Sequence, residues 1–352
     1  MDGTAPLIFT GRRYQLIKIF LFVTFLVSVI KGFASTTPSI PDIDRIRIAE
    51  AFRVGEKLQD QIWPDWHTAP FAMLFVTDDH EFLIRHPKPS DEFQSIGYDK
   101  LLKSEVFWRP RKFQKSFLAT FPAFDRTPVI VVGKAENTDD KTSTRWVFVV
   151  LHEHFHQLQY SQPTYFDEVG ALNLAHGDTS GMWQINFPFP YKDKKVDDNF
   201  RHLTDLLMAT SAVKDDTERR VAFAKYLDAR KAFAASLSAD DYKYASFQLW
   251  QEGIARYTQY KMAELAGREL KPSKAFRSLK DFMPFDKEAV RLLAVIGDEM
   301  KQLDLAKWER VVFYPFGASE GLLLDKVNPD WRRRYFSEKF ALEKFYPMAE
   351  AQ

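Results

Sequence analysis

The sequence of 352 residues predicts an α+β fold, with a small mixed sheet in the N-terminal part and helices after it. Strand-like apolar runs end at residue 133, whereas helical periodicity dominates the chain from Thr144 onward. Strands and helices do not alternate, which argues against a sheet built from βαβ units. We therefore expect an N-terminal α/β part at 35–140 and a mainly helical part at 141–352.

The N-terminal part contains the sheet. Its predicted elements are a helix at 43–58 and strands at 71–76, 81–85 and 128–133. Asp78 and Asp79 stand between the first two strands and predict a hairpin turn there. The third strand has an almost wholly apolar middle, which is typical of a strand buried on both faces.

The C-terminal part is predicted to be helical almost throughout. Helical patterns cover 144–160, roughly 200–236, 242–266, 287–303 and 316–326. A loop rich in Pro and Phe at 186–191 separates the first two.

Composition excludes several classes of function. The 49 Lys and Arg residues balance 48 Asp and Glu residues and are interleaved with them, so no single-sign field favours nucleic acid as a partner. The chain contains no cysteine, which excludes disulfides, thiolate zinc sites and a cysteine nucleophile. With 45% hydrophobic residues it can bury a large core.

The first residues have the pattern of a targeting segment. Basic residues, an apolar run and small residues follow one another at 12–18, 19–30 and 32–34. This order predicts a signal peptide at 1–34, cut after Ala34, and a periplasmic or secreted mature protein. The alternative is an uncleaved membrane anchor at 16–30, although the apolar run is shorter than the ~20 residues that span a bilayer comfortably.

The helix at 144–160 contains the sequence H-E-x-x-H. His152 and His156 are separated by about 40° around a helix axis, so both imidazoles can reach one metal ion. Glu153 lies beside them, where it can act as the general base for a water molecule. The preceding residues 145–151 are apolar on almost every side, which indicates a buried helix. We expect one Zn²⁺ per chain at this site. The alternative is that the histidines only pack in the core.

A catalytic zinc ion needs a third protein ligand and keeps one position for water. Glu252 is the preferred residue, because a carboxylate in an apolar helix is costly unless it is paired or bound to metal. The neighbouring Gly253 weakens a helix and predicts that a second helix approaches closely. An exposed ion pair of Glu252 with Arg256 would be the structural alternative. Three other residues remain open as the third ligand: Glu168, His176 and Asp178.

These motifs resemble the gluzincin metallopeptidases, in which H-E-x-x-H on one helix is completed by a Glu from a second helix. Trp250-Gln-Glu252-Gly-Ile-Ala-Arg-Tyr257 is similar to that second-helix motif. The segment Tyr314-Pro-Phe-Gly317, followed by Leu324-Asp325, resembles an element of the aminopeptidase N and glycyl aminopeptidase groups. The resemblance implies that Tyr314 supports the oxyanion of the tetrahedral intermediate. Because Tyr314 precedes a proline, we expect an extended residue at the entrance to a helix.

Together these observations predict an exported zinc hydrolase that cleaves peptide bonds in peptide or protein substrates. Zinc on His152, His156 and Glu252 would activate water, Glu153 would accept its proton and Tyr314 would stabilise the oxyanion. Two alternatives stay open. One is a non-catalytic exported binding or surface protein, and the other is a zinc hydrolase of a non-peptide amide or ester.

Overall fold

A computed structural model describes residues 37–347 of the chain. The predicted signal peptide lies outside these residues and stays a prediction. From residue 37 to residue 347, no helix is both long enough and apolar enough to cross a membrane.

A six-stranded mixed sheet forms most of the N-terminal part. Its strands are β1 (Met73–Val76), β2 (His80–Ile84), β3 (Gln94–Asp99), β4 (Ser104–Pro110), β5 (Leu118–Phe124) and β6 (Thr127–Gly133). They lie in the order β3-β4-β2-β1-β6-β5. The pair β1 and β6 is parallel and the other neighbouring pairs are antiparallel. The predicted α+β class with a mixed N-terminal sheet is therefore confirmed.

Three of the six strands were not predicted from the sequence. The hairpin of β1 and β2 is confirmed, with Val76 paired to Glu81 across the predicted turn. Strands β3, β4 and β5 were not predicted. Strand β3 is largely exposed and contains Gly97, and β5 contains Pro122, so neither has the apolar alternation that marks a strand.

Helices make up most of the remaining chain. They are α1 (Asp42–Ile62), α2 (Ser143–Tyr160), α3 (Tyr165–Ala171), α4 (Trp183–Asn186), α5 (Lys194–Ala212), α6 (Asp216–Ala235), α7 (Ala239–Gln248), α8 (Ile254–Glu269), α9 (Lys274–Arg277), α10 (Phe285–Lys301), α11 (Leu305–Trp308) and α12 (Phe313–Val327). The predicted helix at 200–236 is two helices. The chain breaks before Asp215, whose side chain accepts hydrogen bonds from the first backbone N–H groups of α6.

The segment from Ala239 to Glu269 is helical throughout but not regular. Between α7 and α8 lies one π-helical turn, Leu249–Gly253. Such turns insert an extra residue into a helix and are frequent at functional sites. Glu252 lies inside this turn.

The sheet carries α2 on one of its faces. Alternate residues of β6 point to opposite sides, with Ile130 and Val132 facing the main core and Val129 and Val131 facing a smaller cluster of phenylalanines. Helix α2 packs against β5 and β6 on the main-core side, and against α1 and α8 on its other sides. The described residues from Pro38 onward form one compact unit around this arrangement.

Gly253 and Gly317 bring the π-helical turn and α12 into backbone contact. A Cβ atom on Gly253 would lie 2.5 Å from the Cα atom of Gly317 and 3.0 Å from the carbonyl oxygen of Phe313. The close approach predicted from Gly253 is therefore confirmed, and the approaching helix is α12.

Replacing Gly253 with alanine should destabilise the protein by about 1–3 kcal/mol, because two backbones must separate to admit one methyl group. Gly297 in α10 is the matched control, since a Cβ atom there would meet no packing neighbour within 4 Å among residues 37–347. Alanine at Gly297 should stabilise the helix by up to about 1 kcal/mol. Urea unfolding of the two variants measures the difference, and equal stabilities would contradict the close contact.

Candidate metal centre

Helix α2 places both predicted histidine ligands on one side. His152 and His156 are 6% and 5% exposed, and their Nε2 atoms lie 3.2 Å apart. Residues 146–151 before them are all buried, which fixes the rotation of the helix about its axis. The separation of four residues places the two rings on one face of the helix, and packing on its other faces holds that face toward the site.

Glu252 completes the group from the π-helical turn. Its Oε2 atom lies 3.3 Å from Nε2 of His156 and 3.8 Å from Nε2 of His152. Arg256, the alternative partner of Glu252, makes its contacts elsewhere. The structure thus brings together the three residues that the sequence analysis selected as metal ligands.

The three atoms have the spacing that a tetrahedral ion needs. Bonds of ~2.0–2.1 Å to zinc place neighbouring ligand atoms about 3.3 Å apart. The observed separations between His152 Nε2, His156 Nε2 and Glu252 Oε2 run from 3.2 to 3.8 Å. The group can therefore hold a metal ion with little movement, and three protein ligands leave a fourth position open.

Gln159 connects the histidine helix to the π-helical turn. Its Oε1 atom accepts a hydrogen bond of 2.7 Å from Nδ1 of His156, which leaves Nε2 of that ring free to face the site as a metal ligand. Its Nε2 atom donates to the carbonyl oxygens of Trp250 and Gln251 at 3.2 and 3.1 Å. Tyr335 also donates to the oxygen of Trp250, at 2.6 Å. Gln159 thus positions a candidate ligand on α2 and another on the π-helical turn.

A second histidine and glutamine pair on α2 faces the opposite way. His154 is fully buried and its ring stacks on Phe71 with centroids 3.6 Å apart. Its Nδ1 atom lies 2.8 Å from Oε1 of Gln157, whose Nε2 donates to carbonyl oxygens of Ala72 and Pro128 beside the sheet. Burial lowers the pKa of His154 to about 3, so this ring is neutral and structural.

Replacing Gln159 with leucine should weaken metal binding about 10- to 100-fold, because His156 loses its orienting acceptor and the π-helical turn loses two hydrogen bonds. Gln157→Leu is the matched control on the same helix. It removes a similarly buried amide and should lower stability, but it should leave metal affinity unchanged. Titration against a chelating metal indicator measures both, and an equal loss of affinity in the two variants would argue against a specific role for Gln159.

His156 is buried and forms an ion pair with Glu252, whose side chain is 18% exposed. Burial alone would lower the pKa of His156, but the Glu252 carboxylate outweighs it and raises that pKa. Burial alone would raise the pKa of Glu252. The charge of His156, and to a smaller extent that of Arg310, outweighs burial and lowers this pKa well below its usual value. A metal ion bound by this group would have to displace the proton held on His156, so metal uptake would release protons and weaken as the pH falls.

Glu153 lies beside the ligands without joining them. It is 6% exposed, and its Oε2 atom accepts a hydrogen bond of 2.8 Å from the hydroxyl of Thr120. The same hydroxyl lies 3.0 Å from the carbonyl oxygen of Glu153. Because Thr120 belongs to β5, the edge strand of the sheet fixes the position of this carboxylate.

Tyr314 reaches the site from α12. Its ring lies parallel to that of His152, with centroids 6.3 Å apart. Burial raises the pKa of Tyr314 well above its usual value, so the phenol stays protonated. The extended conformation expected from Pro315 was wrong, because Tyr314 lies in the first turn of α12. Proline is tolerated there because the first N–H groups of a helix need no helical partner.

Arg310 is a site residue that was not predicted from the sequence. Its Nη1 atom donates to the hydroxyl of Tyr314 at 2.9 Å and lies 3.4 Å from Oε1 of Glu252. The residue before it, Glu309, has φ 47° and ψ −130°. This conformation costs an L-residue on the order of 1–3 kcal/mol, and residues strained in this way cluster at functional sites.

The other residues considered as the third ligand lie elsewhere. Glu168 pairs with Lys339, and His176 is exposed on a loop. The carboxylate of Asp178 accepts hydrogen bonds from Ser180 and from the backbone N–H of Trp183. Among the residues that the structure describes, the metal-ligand group with His152 and His156 contains none of the three.

Comparison with known proteins gives no assignment. No family model matches the sequence, and neither a curated protein nor a solved structure is significantly similar to the chain.

Proposed function

We propose that this protein is an exported zinc-dependent hydrolase of the gluzincin type that cleaves peptide bonds. The observation that carries the proposal is the convergence of His152 Nε2, His156 Nε2 and Glu252 Oε2 within 3.8 Å, from two separate helices. Two nitrogen ligands and one carboxylate with an open fourth position are typical of catalytic zinc. When bound, zinc supplies Lewis-acid chemistry, polarising an acyl carbonyl and making water acidic near neutral pH.

The residues around this group suit acyl transfer to water. Glu153 is the proton acceptor, because it adjoins both histidines on the helix and its carboxylate is held at one oxygen by Thr120. From α12, Tyr314 accepts a hydrogen bond from Arg310. Its own hydroxyl proton must then point away from the guanidinium. The Glu252 carboxylate is one acceptor for this proton, and a developing oxyanion can be another.

An extended peptide is the substrate that best suits the surroundings of Glu153. Strand β5 is the last strand of the sheet and, within residues 37–347, pairs only with β6, so one side of its backbone has no strand partner. Peptides bind to such edges as an added strand. Because Thr120 of β5 contacts Glu153, a peptide paired along this edge would run past the general base.

Tyr314→Phe should retain zinc and the fold and lose roughly 10²- to 10³-fold in turnover, because it removes one oxyanion donor. A phenol that only packs would give a different result, namely about 1 kcal/mol of lost stability with unchanged turnover. Turnover on a cleaved peptide, together with thermal unfolding of the same sample, separates the two outcomes.

The proposal is tested by zinc content and peptide cleavage measured on one preparation. Purified mature protein should contain one zinc ion per chain, and His156→Ala should contain almost none. A peptide library should be cleaved by the zinc-loaded protein and not after chelation. Zinc without cleavage of any peptide would favour ester or non-peptide amide substrates, and absence of both would favour a non-catalytic binding protein. Export is tested separately, by a mature N-terminus near Ser35.

A further inference from the structure

The guanidinium of Arg310 makes all its hydrogen bonds through one nitrogen. Nη1 contacts the hydroxyl of Tyr314, Oε1 of Glu252 and Oε1 of Gln248, at 2.9, 3.4 and 3.5 Å. Within residues 37–347, Nε and Nη2 have no hydrogen-bond partner, and neither is among the fully buried unpaired atoms. The side chain is 22% exposed. Nε and Nη2 therefore keep some solvent-accessible surface beside the metal centre and are available to a ligand.

The fold holds this guanidinium in place at a cost. The Nε2 atom of Gln248 donates to the carbonyl oxygen of Gln184 at 2.7 Å, which turns Oε1 of Gln248 toward Arg310. The strained backbone of Glu309 directs the chain into the turn that carries Arg310. An arginine that only contacted solvent would need neither constraint.

We propose that Arg310 binds a carboxylate of the substrate, so that the preferred substrates are peptides with an anionic group close to the bond that is cleaved. This inference rests on the proposed hydrolase function. The edge formed by Nε and Nη2 presents two parallel N–H groups, the arrangement that binds a carboxylate in a bidentate manner. Lysine could not reproduce this geometry, because its ammonium group is a single point charge.

Distance limits where the anionic group stands in the substrate. Nη1 of Arg310 lies 3.4 Å from Oε1 of Glu252, and the other oxygen of the same carboxylate faces the histidines. The guanidinium is thus separated from the metal position by little more than one carboxylate. One extended residue spans ~3.3–3.6 Å, so the bound anion lies within about two residues of the scissile bond. A free C-terminal carboxylate and an acidic side chain both meet this condition.

Charge favours the same substrates. The carboxylates of Glu153 and Glu252 balance a divalent ion, and Arg310 then leaves one surplus positive charge in the site. An anionic substrate group neutralises that charge, whereas a cationic group would be repelled.

The first test measures binding without turnover. Calorimetry compares two metal-binding probes on zinc-loaded protein, succinic acid monohydroxamate and the corresponding monohydroxamate with an amide in place of the carboxylate. Wild-type protein should bind the carboxylate probe about 10- to 100-fold more tightly. Arg310→Ala should abolish the preference and Arg310→Lys should retain part of it. Arg256→Ala, which removes a nearby charge that faces away from the site, should keep it fully.

The second test uses turnover and identifies the source of the carboxylate. Each cleaved peptide is assayed with a free C-terminus, with an amidated C-terminus, and amidated with Asp or Glu beside the scissile bond. Arg310→Ala should lower kcat for all three peptides to a similar extent, because Tyr314 loses its hydrogen-bond donor. In addition, it should raise KM about 10- to 100-fold for one of the two anionic forms and not for the neutral amide. An equal effect on KM for all three peptides, or no effect on KM, would show that Arg310 only positions Tyr314 and would overturn the proposal.

The two proposals fail in different ways. Suppose that wild-type protein prefers the carboxylate probe, that Arg310→Ala loses this preference, and that no peptide is cleaved. The anion site would then be supported and the peptidase function rejected. Suppose instead that peptides are cleaved without any preference for an anionic form, or with a preference that Arg310→Ala leaves unchanged. Either result would support the hydrolase function and reject the anion site. Arg310→Lys and thermal unfolding of each variant show whether a lost preference comes from the site or from a damaged fold.

Discussion

Replacing Glu153 with glutamine is expected to give a folded, zinc-loaded protein that has lost about 10²- to 10⁴-fold in turnover. The amide has the shape of the carboxylate but cannot accept a proton. Its carbonyl oxygen can still accept the hydrogen bond from Thr120, so the side chain should stay in place. The histidines and Glu252 are untouched, and the metal should therefore remain bound.

The control for this variant is Thr120→Val, which leaves the carboxylate intact and removes the hydrogen bond that positions it. It should lose much less activity than Glu153→Gln and also retain zinc. Zinc content, circular dichroism and initial rates on one cleaved peptide are the measurements. A Glu153→Gln variant that cleaves as fast as wild type would rule out the hydrolytic mechanism proposed for this site, whatever its metal content.

The positions of His152, Glu153 and His156 could be predicted because helix geometry alone determines them. Once residues 145–151 indicate a buried helix, a separation of four residues places both rings on one side. The hydrogen bonds of Gln159 were harder to predict from the sequence. Both His154 and His156 are followed three residues later by a glutamine, and nothing in that spacing shows which pair faces the candidate metal site.

Glu252 could be selected from the sequence but its placement could not be derived. The cost of an unpaired carboxylate among apolar residues indicated a partner. The π-helical turn that directs Glu252 toward the histidines depends on tertiary hydrogen bonds, from Gln159 and Tyr335 to the carbonyl oxygens of the turn. Local sequence carries no signal of such bonds, and only the neighbouring Gly253 indicated the close packing of α12.

Arg310 and strands β3, β4 and β5 could not be predicted from the sequence for the same reason. Each depends on partners that are distant in sequence. Arg310 meets Glu252 across 58 residues, and Thr120 of β5 meets Glu153 across 33. Strand β5 forms despite Pro122 because β6 beside it supplies the pairing. Secondary-structure propensity and hydrophobic periodicity depend on residues that are close in sequence, so they do not predict contacts between distant residues.

Replacing Glu252 with alanine is expected to weaken zinc binding by more than ~100-fold, since loss of a ligand should exceed the 10- to 100-fold effect of losing a residue that only orients one. In this variant no carboxylate stands between Arg310 and His156. The positive charge of Arg310 then repels the metal ion directly. Glu252→Gln keeps the shape of the side chain and should bind zinc more weakly than wild type but better than Glu252→Ala.

Glu168→Ala is the control. Among the residues considered as ligands, Glu168 is the carboxylate nearest to H-E-x-x-H in sequence, and it pairs with Lys339 instead of joining the histidines. It should retain one zinc per chain. Zinc is measured by elemental analysis after dialysis and by competition with a chelator of known affinity. Equal zinc retention by Glu252→Ala and wild type would contradict the geometry, because His152 and His156 alone leave an ion with two protein ligands and no anchor on the second helix.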